Sequence, residues 1–143
     1  MPELTDIISV QHVELDRQHE LCARALEQLR SIRNVSSLRE VLRCYKMHFQ
    51  YEESLLDAHL YKDLIVGEKQ AETKGFSAAL DARKSHYRDH KRLIGEIEET
   101  LSCADNDDER LPAKFVSEVL RNFERHANVY DDSYADALHA ALH

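Results

Sequence analysis

Five histidines and two carboxylates of this chain fall into four groups whose spacing suits metal ligation: His19 alone, His48 with Glu52, His86 with His90, and His126 with Asp131. Residues four apart on a helix lie about one turn apart on nearly one face. His48 and Glu52 can therefore reach a common point, and so can His86 and His90. His126 and Asp131 are five apart, which turns them roughly 140° from each other on a regular helix at about 100° per residue. They could approach the axis of a bundle from either side, or a π-bulge could bring them together. Spacing alone does not choose Asp131 over Asp132.

Seven donors exceed what one ordinary ion takes and suit two ions sharing bridging carboxylates. Structural zinc normally takes four ligands, often thiolates. Imidazole with carboxylate points to iron, with manganese as runner-up. No Glu-x-x-His of the ferritin-like di-iron proteins occurs. The shell is mostly neutral, which favours the diferrous state. Five histidines divide three and two, leaving one iron a ligand short, and that open position is where oxygen would bind.

Four elements must position these groups. Residues 1–15 read as an N-terminal arm. Asp16 can cap a helix from about Arg17 to Arg33, with Leu21, Ala25, Leu29 and Ile32 at helical spacing. Ser36 or Ser37 can cap a second helix from near Leu38, whose inner face runs from Val41 through His48 and Glu52 to Leu60. Residues 67–75, bounded by Gly67 and Gly75, read as a loop within an insertion of about 61–80. The helical period returns at Phe76 and continues through His86, His90 and Leu93 to Leu101. Asp105 to Glu109 reads as a solvated loop. Pro112 suits the first turn of a fourth helix carrying Phe115, Val119, Phe123, His126, Tyr130 and Tyr134. The expectation is one all-α domain over 1–143: an up-down-up-down antiparallel four-helix bundle with an extended helix 2–helix 3 hairpin.

The rest of the composition narrows the function. The net charge is −8 and Lys and Arg form no evident stripe, which argues against nucleic acid and anionic membrane as partners. No apolar run is long enough to span a bilayer. Three widely spaced cysteines without a CxxC, and an N-terminus unlike a secretion signal, predict free thiols in a reducing cytoplasm.

The segments Leu15-Asp-Arg-Gln-His19, His48-Phe-Gln-Tyr-Glu52-Glu, His86-Tyr-Arg-Asp-His90 and His126-Ala-Asn-Val-Tyr-Asp131, followed by Tyr134, resemble hemerythrin and its bacterial and protist relatives. The likeness spans about Val10 to Ala137, with all seven ligand positions filled in the family's order. It implies that His86, His90 and His126 hold one iron and that His19 and His48 hold the iron that takes oxygen. Glu52 and Asp131 then bridge the pair (Fe2+ or Fe3+), together with an oxo or hydroxo group. The implied function is reversible O2 binding in storage, transport or sensing, carried out by a carrier rather than an enzyme, as a monomer or homo-oligomer. A sensor would need a separate redox or signalling partner. Alternatives with the same ligands are a di-iron oxidase, peroxidase or nitric-oxide-handling enzyme, and iron storage or detoxification.

Cys22, Phe49, Leu93, Asn122 and Phe123 are the expected oxygen-pocket residues. Asn122 stands where the family usually has Trp, Phe123 where it has Leu, and Cys22 where it has an aliphatic residue. These departures predict faster autoxidation than a sealed pocket would give. The interval from Glu52 to His86 is also longer than the family's.

Overall fold

In the computed structural model, residues 13–61, 74–131 and 134 are described, with side chains described for 13–61, 80–130 and 134. The described residues form four α-helices: α1 (Val13–Ile32), α2 (Val35–His59), α3 (Lys74–Ser102) and α4 (Ala113–His126). A π-helical turn, Ala127–Asp131, continues directly from α4. No strand occurs among the described residues beyond an isolated bridge between Asn34 and Arg110. The packing is that of a helical bundle.

The apolar positions dictate how the helices pack. α4 buries Val116, Val119, Leu120, Phe123 and His126, a stripe at helical spacing. α1 buries Leu15, Gln18, His19, Cys22, Ala25, Leu26 and Leu29. The buried residues form two apolar clusters. The larger one draws on all four helices and includes Leu26, Leu38, Tyr45, Phe49, Leu93, Ile97, Leu120 and Phe123. The smaller one consists of Leu15, Leu56, Tyr87 and Tyr134. Along α1, His19 lies between Leu15 of the smaller cluster and Cys22 of the larger; along α2, His48 and Glu52 lie between Tyr45 of the larger and Leu56 of the smaller.

Several boundaries differ from the sequence expectation. α1 already includes Val13 to Leu15, so Asp16 lies within its first turn and is not its cap. The Leu15 side chain is fully buried, and that burial holds this turn against the bundle. Residues 1–12 of the expected arm lie outside the described residues.

α2 begins three residues before Leu38, because Asn34 and not a serine is its cap. The Asn34 side chain accepts from the Ser37 N–H at 2.8 Å, and the Ser37 hydroxyl accepts from the Asn34 N–H at 3.3 Å. Arg33 takes a left-handed conformation (φ 52°) between the two helices. The loop 105–111 then ties this end together. Its Glu109 and Asp107 carbonyls accept from the Val35 and Ser36 N–H groups, Leu111 N–H donates to the Arg33 carbonyl, and Asp107 pairs with Arg39. The loop is solvated as expected, with residues 105–108 exposed, and it also serves as a second cap on α2.

α3 begins at Lys74, so Gly75 is helical and does not belong to the loop. A helix's first N–H groups need no intrahelical partner, so a glycine there costs little. Residues 62–73 of the expected insertion lie outside the described residues. α2 continues past Glu52 to His59 and α3 starts well before His86, so both helices run beyond the histidines. Pro112 stands at the cap of α4, one residue earlier than its expected first turn.

Candidate metal centre

Five histidines on four helices converge on one carboxylate. Glu52 is fully buried, and His19, His48, His86, His90 and His126 are buried around it. Its two oxygens face different partners. Glu52 Oε1 lies 2.9 Å from His86 Nε2 and 3.0 Å from His90 Nε2. Glu52 Oε2 lies 3.5 Å from His48 Nε2 and 3.9 Å from His19 Nε2, and the Tyr134 hydroxyl donates to it at 2.8 Å. Two donor sets result: Glu52 with His86, His90 and His126, and Glu52 with His19 and His48. In each set the donor atoms lie within 4.8 Å of one another. Either set could hold a metal ion, and the two share Glu52.

The opposite edges of three rings are anchored. His48 Nδ1 donates to Gln18 Oε1 at 3.0 Å, while the Gln18 amide nitrogen donates to Glu14. His90 Nδ1 donates to Glu53 at 2.8 Å, and His126 Nδ1 donates to Asp89 at 2.6 Å. These partners are acceptors, so each Nδ1 carries a proton. The neutral rings of His48 and His126 are left with an Nε2 lone pair toward the centre, and His90 gains one when it gives up the second proton that it donates to Glu52. Histidines that ligate metals are oriented in this way almost without exception.

The electrostatics favour a bound cation. Burial alone would raise the Glu52 pKa, but hydrogen bonds from His86 and His90 outweigh it and hold the carboxyl well below its usual range. Burial pushes the His48 ring down to about 3, against the pull of Glu52, so it is neutral at pH 7. Burial also works against His90, yet its bonds to Glu52 and Glu53 hold it up at about 9. Asp89 is likewise raised by burial, but its bonds to His126 and Arg92 keep it at about 2. In the metal-free protein a proton on His90 thus balances the buried carboxylate. A divalent ion supplies the same positive charge, and metal binding at such sites releases protons. The donor set therefore fits a pair of imidazole- and carboxylate-binding ions.

The position of Asp131 is set by the π-turn. An i→i+5 turn places positions 126 and 131 on one face of the backbone, which relieves the mismatch of a regular helix. The side chain of Asp131 lies outside the described residues. Tyr130 stacks on His86 with ring centroids 4.8 Å apart and shares a hydrogen bond with Ser85.

The pocket candidates are placed unevenly. Phe49 stacks flat on His90 at 4.0 Å and also touches His48 and His126. Cys22, Leu93 and Phe123 are buried with it in the larger cluster. Asn122 is half-buried, and its amide donates to Glu96 at 3.2 Å. No disulfide joins Cys22, Cys44 or Cys103. Tyr45 stacks on Phe123, and its hydroxyl is buried with no hydrogen-bond partner among the described residues.

Sequence reasoning assigned no role to Asp89 or Glu53. Asp89 sits three residues before Arg92 on α3, so local spacing pairs it with that arginine. The pair does form, at 2.7 Å. Only the α3–α4 register reveals His126 as its second partner.

Among the described residues, no helix is long and apolar enough to cross a membrane. No family model, curated protein or solved structure matches the chain.

Proposed function

We propose that this chain is a non-haem di-iron protein of the hemerythrin kind that binds O2 reversibly. The observation that carries this reading is the split of Glu52, with one oxygen toward His86 and His90 and the other toward His19 and His48. A carboxylate so placed suits a bridge between two ions, one held by His86, His90 and His126 and the other by His19 and His48. Asp131 is the proposed second bridge, and the π-turn supports that role. The ion pair would supply the redox electrons and the open coordination position that oxygen binding needs. The chain's own residues orient the rings through Gln18, Glu53 and Asp89, and they exclude water with Phe49, Leu93, Phe123 and Cys22. Asn122, engaged with Glu96, is the polar edge of that wall.

The reading includes a single antiparallel bundle, and the contact order supports it. Between α2 and α3, Asp57 meets Arg83, Glu53 meets His90 and Lys46 meets Glu98. Between α3 and α4, Ser85 meets Tyr130, Asp89 meets His126 and Glu96 meets Asn122. In both series the residue numbers fall on one helix as they rise on the other.

A second reading, oxidase or peroxidase chemistry with the same ligands, draws on the free thiols of Cys22 and Cys44, which are buried in the same apolar cluster as Phe49. One experiment separates the two. The iron-loaded protein is reduced without oxygen, exposed to oxygen, then purged, with the visible spectrum followed throughout. A band that appears and reverses supports the carrier. Direct passage to the diferric state with substrate turnover supports the enzyme, and failure to retain two irons per chain sinks both. His48→Ala should cost one metal and spare much of the other.

A further inference from the structure

The geometry points to the outer face of α3 as a docking surface for an acidic protein that carries single electrons. This rests on the di-iron reading, since a buried pair that has oxidised must be reduced through the protein. A groove of about 440 Å³ lies between α2 and α3, lined by Glu53, Arg83, Lys84, Tyr87, Arg88 and Lys91. Lys84, Arg88 and Lys91 are exposed and make no ion pair among the described residues. Arg83 is fixed by two bonds to Asp57 and lies over the Tyr87 ring, so it forms a rigid basic wall.

Two features make this groove more than a charged surface. First, although Lys and Arg form no stripe along the sequence, α3 brings Lys84, Arg88 and Lys91 to one groove beside the paired Arg83, on a chain whose net charge is −8. Complementary charge steers weak, transient partners toward such a patch, and electron-transfer interfaces are small enough to sit on it. Second, one residue of the groove bonds directly to the centre. Of the groups that anchor histidines, Gln18 is buried and the Asp89 side chain is 14% exposed. Glu53, which accepts from His90, is 35% exposed and lines the groove. Glu53 is thus the most exposed of these three anchors, and it links the groove to His90 through one hydrogen bond. Each docked carrier is oxidised by one electron, and two successive encounters return a diferric pair to diferrous.

Plant-type ferredoxin, an acidic one-electron carrier, serves as the probe. Its binding to the metal-free and iron-loaded chain is measured by titration at low and high salt, and its rate of reducing the diferric protein by stopped flow. Lys84→Glu/Arg88→Glu/Lys91→Glu should weaken binding and slow reduction by roughly tenfold or more at low salt, and high salt should do the same to the unmodified chain. Iron content and reduction by a small neutral hydroquinone should not change in the variant. Equal ferredoxin binding by both proteins overturns the proposal. Tight binding of pyrophosphate without any of ferredoxin also overturns it, by making the groove a small-anion site. If the chain fails to load iron yet forms the salt-sensitive complex, the di-iron reading falls and the docking surface stands.

Discussion

Tyr134 donates to Glu52 Oε2 within a fully buried pocket, so removing its hydroxyl leaves a buried carboxylate oxygen short of a partner. Tyr134→Phe should destabilise the metal-free protein by about 1–3 kcal/mol, read by urea unfolding. The loss should shrink once metals neutralise the carboxylate. The two perturbed histidines give opposite pH slopes. The unfolded chain protonates His48 near pH 6.5, and the folded chain resists until about 3. Stability should therefore fall as pH drops through that window. His90 is raised to about 9, so its contribution is complete below pH 6.5 and is lost as pH climbs toward 9. Unfolding of the metal-free chain near pH 5, 6.5 and 9 should show greatest stability at the middle value. Metal loading should abolish the alkaline decline, because bound rings are neutral donors. The clustering of His48 with Glu52 and of His86 with His90 was legible in the sequence because i, i+4 spacing on a helix is a local property. Their anchors were not, because Glu53 and Asp89 find His90 and His126 only through the register between helices.

At the scale of elements, the π-turn after α4 is one of the two arrangements that the five-residue interval between His126 and Asp131 allowed. The start of α2 was misplaced for a chemical reason. Asn34, Ser36 and Ser37 are all good cap residues, and only the reciprocal bonds between Asn34 and Ser37 choose among them. α3 offers a clean test of helix propensity apart from the metal site. Gly95 lies mid-helix, and a Cβ added there meets nothing within 4 Å. Gly95→Ala should raise stability by about 0.5–1 kcal/mol without changing metal content, read by thermal unfolding and metal analysis.

For the whole molecule, composition and helical period were enough to predict an all-helical chain, because three glycines and two prolines leave few breaks. They could not predict that the core would divide. The histidines and Glu52 form a polar layer, with the larger apolar cluster on one side and Leu15, Leu56, Tyr87 and Tyr134 on the other. Without metal this layer works as a diaphragm, held by hydrogen bonds to a single carboxylate. The smaller compartment can then open while the larger stays closed. Backbone amides around Leu15 and Leu56 should exchange with deuterium through a lower-energy opening than those around Leu26 and Leu120. Two bound ions would rivet the diaphragm to all four helices, and the two compartments should then open together. Equal protection at both ends of the metal-free chain would show that the core is one unit. Metal bound at the middle of this protein would thus also decide whether its two ends behave as one body.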